Sequence, residues 1–170
     1  MASDAIAVLD ELNINQAHVL GISMGGMIAQ IIASNFSERT KTFTLIASTA
    51  STPSPLNGPT RKVRKLLMER TKNPNPTIDQ RVKRSRKIFS EIGYQGIDLN
   101  TVQFYQDISS SVKRGGSEDT GFSRQLTAIL SSKNRLNKVR SIDAPTLIIH
   151  GKDDPLIKVC LLYTSDAADD

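Results

Sequence analysis

Apolar and polar residues alternate along the first fifty positions with two different periods. Apolar residues recur at near-helical spacing over 4–12 and again over 24–35, which predicts an amphipathic helix in each segment. The short and nearly continuous apolar runs at 17–22 and 42–47 predict buried strands. Helix, strand, helix and strand joined by short links form the pattern of a βαβ unit. The sequence therefore predicts an α/β fold with a parallel sheet whose strands are covered on both faces.

The pattern changes after Ser48, where a loop rich in Ser, Thr, Pro and Gly begins. From about residue 60 to about 137 the apolar spacing is helical, and Thr77 followed by Gln80 is a capping-box sequence. An apolar run at 144–151 then predicts a return to a buried strand. The helices predicted between the loop and this strand lie near 60–71, 77–92, 98–113 and 118–131.

These elements divide the chain into four segments. Residues 1–50 form a core α/β segment, 51–140 form a helical insertion, and 141–159 return to the core. Residues 160–170 fit neither helical nor strand spacing, and they look foreign to what precedes them. We interpret this last segment as a non-native tail.

Basic residues are concentrated in the helical insertion. The whole chain has 22 Lys and Arg against 17 Asp and Glu, and 61–87 contains 11 of the 22 with only Glu69 and Asp79 as acids. Such a concentration is compatible with a nucleic-acid-binding module, but the stretch has no recognition motif and its apolar residues keep helical spacing. We interpret it as two amphipathic helices with solvated basic faces and expect no nucleic-acid partner.

The cysteine content and the apolar runs bear on the compartment. A single cysteine excludes an intramolecular disulfide and favours a reducing environment. No run approaches the roughly 20 apolar residues that a membrane span needs. The first residues lack the cationic and apolar regions of a signal peptide. We expect a cytoplasmic protein with no membrane partner.

A G-x-S-x-G sequence joins the first predicted strand to the helix that follows it, with Ser23 between Gly21 and Gly25. On a sharp strand-to-helix turn, the Ser23 hydroxyl would project above the sheet and the N–H of Met24 would point toward the oxyanion of an attacked carbonyl. Both glycines are expected to leave room where strand and helix pass closely, so that Ala or Val at either would collide. The alternative is a tight turn whose serine only caps the helix.

With these residues the chain resembles the α/β-hydrolase family, in particular small serine esterases of the aclacinomycin-methylesterase type. Residues 19–26 resemble the family's nucleophile elbow, and 148–155 resemble its penultimate strand and acid loop. The helical insertion lies where the family places its cap. The resemblance implies that Asp154, three residues beyond Gly151, is the triad acid, with Asp153 as second choice. Ordinary turn chemistry also accounts for Asp-Asp-Pro after a strand.

The resemblance also implies groups that this sequence does not supply. The family's catalytic histidine follows the acid after one more strand, whereas the two histidines here, His18 and His150, precede it. We interpret both as packed or rim residues. The second oxyanion donor would come from a loop before Met1. We therefore expect a chain truncated at both ends, a partial α/β-hydrolase with a helical cap, which is nearly inactive as given.

The residues and the resemblance together predict a serine hydrolase that cleaves carboxylic esters through an acyl-enzyme. Ser23 would attack, the Met24 N–H would help hold the oxyanion, and Asp154 would orient the histidine. We expect a small-molecule ester as partner and neither a metal nor a cofactor. Alternatives of the same fold are a proline-iminopeptidase-like aminopeptidase, an enol-lactonase and a perhydrolase. A basic, non-enzymatic binding module is the alternative from another class.

Overall fold

The computed structural model describes residues 1–51, 58–69, 76–114 and 118–159. Its helices and strands are α1 (Ala2–Glu11), β1 (Ala17–Ile22), α2 (Met24–Asn35), β2 (Thr40–Ile46), α3 (Arg61–Met68), α4 (Ile78–Ile92), α5 (Val102–Arg114), α6 (Glu118–Leu130), α7 (Leu136–Val139) and β3 (Thr146–Ile149). A turn of 3-10 helix, Ser37–Arg39, precedes β2. The three strands form one parallel sheet in the order β1-β2-β3.

Most predicted elements agree with the observed ones to within a few residues. The predicted bounds of β1 and α2 are confirmed, and Thr77 and Gln80 form both hydrogen bonds of a capping box at the start of α4. The short helix α7 was not predicted, because four residues are too few to show a period. The predictions for the loop at 52–57 and for the tail at 160–170 lie outside the described residues.

Helix α2 packs on one face of the sheet and forms the core with it. Ala29 and Ala33 of α2 contact Phe43 and Leu45 of β2, and all four side chains are buried. The two alanines let the helix approach the strand closely, and the larger side chains of β2 fill the space between them. Helices α1 and α7 pack against α2. This packing fixes the start of α2 relative to the end of β1.

The opposite face of the sheet is exposed in the described part of the chain. The strand register places Leu20 of β1 in line with Leu147 of β3, and Ile22 in line with Ile149, so these four side chains share a face. They are between 48% and 59% exposed. The prediction that these strands are covered on both faces is therefore wrong for this structure, because α2, which packs on β1 and β2, lies on the other face.

The basic helices α3 and α4 are amphipathic, as predicted. Val63, Leu66 and Val82 are buried, whereas most of the Lys and Arg side chains of these helices are exposed. Lys87 forms an ion pair with Glu69 at 2.6 Å, and this hydrogen bond together with the Lys87 charge lowers the pKa of Glu69. Among the described residues, no helix combines the length and the apolar character needed to cross a bilayer.

Helices α4 and α5 contact each other through aromatic side chains. The rings of Phe89 and Phe104 meet edge to face, with centroids 5.9 Å apart and planes at 87°. The next residue of α5, Tyr105, donates a hydrogen bond of 2.9 Å from its hydroxyl to the Asp79 carboxylate in the first turn of α4. These two contacts fix α5 against the first turns and the last turns of α4.

Candidate active site

Ser23 stands at the junction between β1 and α2 with a strained backbone. Its φ is 52° and its ψ is −119°, and a positive φ is costly for a residue that has a Cβ. Ser23 occupies the N-cap position of α2, yet its hydroxyl makes no capping hydrogen bond. The geometry does not support the alternative that this serine only caps the helix. Met24 is the first residue of α2, where backbone N–H groups have no partner within the helix.

Backbone and side-chain hydrogen bonds hold the turn at Ser23 from two sides. The Ser23 N–H donates to the Ile46 carbonyl at 3.0 Å, which continues the β1–β2 ladder past the end of β1. The Ser23 carbonyl oxygen accepts from the Met27 N–H at 3.2 Å and from the Ser48 hydroxyl at 2.6 Å. Ser48 is fully buried. The role of Ser48 was not predicted from the sequence, because it depends on a contact with a residue 25 positions away.

The glycines around Ser23 differ in how tightly they are packed. At Gly21 an added Cβ would lie 2.6 Å from the Gly26 Cα, which confirms the predicted close approach of strand and helix. At Gly25 an added Cβ would meet nothing within 4 Å, so the prediction of a collision there is wrong. The second tight position is Gly26, where a Cβ would lie 2.6 Å from the Ser48 Oγ and 2.7 Å from a Leu45 methyl. Gly26 faces β2, whereas the Cβ direction of Gly25 leads into open space.

The carboxyl ends of the three strands are level, which brings Ser23 and Asp154 to the same edge of the sheet. Just past the strand ends, the Ser23 N–H bonds to the Ile46 carbonyl and the Ala47 N–H bonds to the Ile149 carbonyl, each at 3.0 Å. Ala47 also has a positive φ, 44°, which the sequence did not indicate. In open parallel sheets this edge is where ligands bind. Two strained residues therefore lie side by side at the edge where a site is expected.

Asp154 shapes the loop that follows β3. Its N–H donates to the Gly151 carbonyl at 3.1 Å, and its Oδ1 accepts from the N–H groups of Leu156 at 2.8 Å and Ile157 at 3.0 Å. This pattern accounts for Asp154 as a turn residue and leaves Oδ2 outside the turn. The neighbouring Asp153 is exposed. Of the two candidate acids, Asp154 is the one held in a fixed orientation.

Both histidines lie where the sequence analysis expected packed or rim residues. The His150 side chain is 3% exposed, and its Nε2 lies 2.7 Å from the Ile157 carbonyl but 3.5 Å from the Asp154 Oδ2. The shorter distance assigns the proton to Nε2, because a carbonyl can only accept. His18 is exposed on β1, with its Nδ1 2.8 Å from the Thr42 hydroxyl. Each ring thus already has a local polar partner in the sheet or the acid loop.

Hydrogen bonds connect both ends of the segment that contains helices α3 to α6 to the loops at the sheet edge where Ser23 and Asp154 lie. At the start, the Thr60 N–H donates to the Pro155 carbonyl of the acid loop at 2.9 Å, while the Thr60 hydroxyl caps α3. At the end, the Arg135 N–H donates to the Ala50 carbonyl in the loop after β2 at 2.9 Å.

The edge therefore presents a serine hydroxyl, the N-terminus of α2 and a carboxylate. The positive end of a helix dipole stabilises a developing negative charge, and a backbone N–H there can donate to an oxyanion. Such a set suits nucleophilic attack on a carbonyl carbon. Within the ranges that the structure describes, no three His, Cys, Asp or Glu side chains are grouped so as to hold a metal ion.

Comparisons with known proteins agree on the fold. A protein-family model described as alpha/beta hydrolase fold matches residues 1–168. A 2-hydroxy-6-oxononadienedioate/2-hydroxy-6-oxononatrienedioate hydrolase from Pseudomonas sp. is 27% identical over 165 residues, which cover 94% of this chain and 54% of that protein. Rhodomycin D methylesterase DauP from Streptomyces sp. (strain C5) is 44% identical over 46 residues, or 27% of this chain and 15% of that protein.

A solved structure shows a similar fold over almost the whole chain. The meta-cleavage product hydrolase CumD from Pseudomonas fluorescens IP01 superposes with a TM-score of 0.70 at 20% identity, covering 99% of this chain and 58% of that one. The predicted fold class, a partial α/β-hydrolase with a parallel sheet flanked by helices, is confirmed. The chain spans about half the length of the curated relatives that it matches over most of its own length.

Proposed function

We propose that this chain, which belongs to the α/β-hydrolase fold family, carries the nucleophile and the acid of a serine hydrolase that cleaves carboxylic esters. The general class, a hydrolase, follows the family and its relatives. The observation that supports ester hydrolysis by a serine nucleophile is the geometry of Ser23. It occupies the N-cap position of α2 with a φ of 52°, yet its hydroxyl makes no capping hydrogen bond. A serine with no nucleophilic role would have little reason to occupy so strained a position.

In the proposed reaction, the Ser23 Oγ attacks the ester carbonyl carbon while a histidine takes the hydroxyl proton. The Met24 N–H donates to the resulting oxyanion, and the alcohol leaves with the proton returned by the histidine. Water, giving a proton to the same histidine, then attacks the acyl carbon, the bond to Oγ breaks, and the carboxylic acid leaves while the histidine returns the proton to the Ser23 Oγ. The Asp154 carboxylate accepts from the histidine Nδ1–H and holds the tautomer that leaves Nε2 free to take the proton.

The proposal requires a histidine and a second oxyanion donor from outside these 170 residues. His18 and His150 already bond to Thr42 and Ile157 respectively, and both precede the acid in the chain. A missing oxyanion donor typically costs about 100- to 1,000-fold in rate, and the missing histidine costs more. The 170-residue chain alone is therefore proposed to be nearly inactive, as a fragment of the complete hydrolase.

We also propose a role for each of the segments predicted from the sequence. Helices α3 to α6, within 51–140, are proposed to form a cap over the site, and 1–50 with 141–159 are proposed to form the catalytic core. The hydrogen bond between Thr60 and Pro155 supports this arrangement, because it joins the start of the proposed cap to the acid loop. We likewise propose a cytoplasmic location, a small-molecule ester as partner, and no nucleic-acid or membrane partner.

A second candidate function is hydrolysis of a 2-hydroxy-6-oxo dienedioate. The similarity to the Pseudomonas hydrolase of that substrate class, which extends over 94% of this chain, favours it. The aminopeptidase, enol-lactonase and perhydrolase alternatives use the same serine, so the substrate and not the nucleophile distinguishes them.

The proposal is tested on the longest product encoded at the gene's locus, found by sequencing both sides of this reading frame. We expect that product to hydrolyse p-nitrophenyl butyrate, and we expect Ser23→Ala to lower kcat about 10⁴-fold or more. Ser34→Ala, in the last turns of the same helix, is the matched control and should leave kcat unchanged. Faster turnover of 2-hydroxy-6-oxononadienedioate than of p-nitrophenyl butyrate would favour the second candidate. Full activity in Ser23→Ala would refute both.

The two explanations of Asp154, turn residue and triad acid, are separated by a pair of variants. Asp154→Asn keeps an Oδ1 that accepts from Leu156 and Ile157, so we expect wild-type stability with a kcat lowered about 10⁴-fold. Asp154→Ala loses both hydrogen bonds and should also lower the free energy of unfolding by about 1–2 kcal/mol. If Asp154→Asn retains wild-type kcat, Asp154 is a turn residue only, and Asp153→Asn is then tested in the same assay.

A further inference from the structure

Arg135 is a buried cation that forms no ion pair with any carboxylate in the described parts of the chain. Its side chain and backbone together are 4% exposed, and burial lowers the pKa of its guanidinium. It remains charged, since a protein arginine is not deprotonated. Placing a charge in the interior is costly unless its hydrogen-bonding groups are well satisfied. Arg135 must therefore be held by neutral acceptors.

Those acceptors belong to three separate segments of the fold. The Arg135 Nε donates to the Gln30 Oε1 on α2 at 2.9 Å, and one terminal nitrogen donates to the Thr49 carbonyl at 2.9 Å. The other terminal nitrogen donates to the Lys133 carbonyl at 3.2 Å. The Arg135 backbone N–H adds a bond to the Ala50 carbonyl at 2.9 Å. One rigid, planar group thus joins α2, the loop after β2 and the link between α6 and α7.

This loop in turn holds the serine. Thr49 follows Ser48, whose hydroxyl donates to the Ser23 carbonyl at 2.6 Å and whose side chain lies against Gly26. The loop begins at Ala47, which has a φ of 44°, so the conformation needs outside support. Gln30 lies two turns along α2 from Ser23 and is fully buried. Arg135 therefore bonds both to α2 and to the loop after β2, the two elements that contact each other through Gly26 and Ser48.

We propose that Arg135 is a positioning residue for the nucleophile elbow. Its guanidinium fixes α2, through Gln30, relative to the loop after β2, through Thr49, and thereby keeps Ser48 bonded to the carbonyl of Ser23. The proposal rests on the proposed function only in treating Ser23 as the nucleophile. The link between Arg135 and the backbone at Ser23 is testable without turnover.

The test is hydrogen exchange measured by mass spectrometry on the full 170-residue chain. In Arg135→Met, we expect the N–H groups of Ser23 and Met27 to exchange about tenfold faster, the factor set by losing about one buried hydrogen bond. Exchange in 42–46, which pairs within the sheet, should be unchanged. Arg135→Lys should behave as Arg135→Met does, because an ammonium group does not reproduce the planar fork. Arg140→Met, an exposed arginine just after α7, is the matched control and should change nothing.

A double-mutant cycle adds a readout that a merely structural arginine would not give. Ser48→Ala should accelerate exchange at Ser23 and Met27 as Arg135→Met does, and the double variant should add little to either single change. Independent, additive effects would overturn the proposal, and so would unchanged elbow exchange in Arg135→Met or full rescue by Arg135→Lys. If Arg135→Met does not fold, Gln30→Leu, which removes the acceptor on α2 alone, replaces it with the same expected outcome and the same refutation.

These outcomes are independent of the esterase assay. If the longer gene product does not hydrolyse esters, but the Arg135 and Ser48 variants change exchange at Ser23 and Met27 as expected, the proposed function is refuted and the positioning role stands. If the longer product hydrolyses esters, but Arg135→Met leaves exchange at Ser23 and Met27 unchanged, the positioning role is refuted and the proposed function stands.

Discussion

The Cα of Gly26 lies so close to Ser48 that a methyl group on it would fall 2.5 Å from the Ser48 Cβ. Ser48 does not move aside freely, because it is fully buried and its hydroxyl bonds to the Ser23 carbonyl. The contact therefore sets the distance between the start of α2 and the loop after β2. Ser23, the proposed nucleophile, directly precedes α2 and is bonded to Ser48 through its carbonyl, so this distance bears on its position.

Alanine substitutions at Gly21, Gly25 and Gly26 should show which of these glycines is required because a Cβ would clash with its neighbours. Gly21→Ala and Gly26→Ala are expected to lower the free energy of unfolding by about 3 kcal/mol each, because both clash with groups that are held in place. Gly25→Ala meets open space and should be neutral or stabilising by up to about 1 kcal/mol, since Ala favours a helix over Gly. Urea denaturation of the three variants checks this order. A Gly25→Ala variant as unstable as Gly26→Ala would contradict the geometry.

The strained backbone at Ser23 predicts that the wild-type residue costs stability. A positive φ is free for glycine and costs about 1–3 kcal/mol for other residues. Ser23→Gly should therefore raise the free energy of unfolding by about 1 kcal/mol while removing the proposed nucleophile. Ser34→Gly, in the same helix but with ordinary helical geometry, should be destabilising and serves as the control. If the two variants shift the urea midpoint in the same downward direction, Ser23 is not strained.

The exposed sheet face predicts self-association of the 170-residue chain. Leu20, Ile22, Leu147 and Ile149 form an apolar patch on the strands, and apolar parallel strands are normally covered. We expect concentration-dependent association in sedimentation velocity and binding of the dye ANS. Leu20→Lys combined with Leu147→Lys should reduce both. Val102→Lys, which replaces an exposed apolar residue far along the chain, is the matched control, and an equal effect from it would exclude the sheet face as the cause.

Tyr105 should titrate above the ordinary range for tyrosine. The hydrogen bond that it donates to Asp79 raises the pKa of the Tyr105 hydroxyl, so the folded state favours the protonated form. The stability contributed by this bond is fully present below the ordinary tyrosine pKa of about 10 and is lost as the pH rises through the raised folded value. The pKa of Tyr105 is measured by following tyrosinate absorbance against pH and subtracting the titration of Tyr105→Phe, which contains only the other two tyrosines. Asp79→Asn should lower it, and an unchanged titration in that variant would show that Asp79 is not the cause.

The elbow could be predicted from sequence because its signals are local. The change of period between β1 and α2, with G-x-S-x-G at the change, placed Ser23 on a strand-to-helix turn, and the structure has that turn at the same residues. The capping box of α4 is local in the same way. In both cases the residues that define the feature lie within a few positions of one another.

The rest of the site depends on contacts between distant residues. Ser48 lies 25 residues from Ser23, and Arg135 lies 105 residues from Gln30, so no period or motif connects them. The error at Gly25 has a geometric cause, because the direction of a Cβ at the start of a helix follows from how that helix packs. The exposed face of β1 and β3 escaped prediction because an apolar run shows that a strand should be covered, not what covers it.

The central claim, that Ser23 is a reactive nucleophile, is tested most directly by covalent labelling. The longest product of the gene is treated with a fluorophosphonate, digested and analysed by tandem mass spectrometry, with Ser23→Ala and Ser34→Ala treated in parallel. We predict a phosphonyl adduct on Ser23 in the wild-type protein and in Ser34→Ala, and loss of ester hydrolysis in proportion to labelling. Ester hydrolysis that persists in Ser23→Ala, or labelling confined to another serine, would contradict the account.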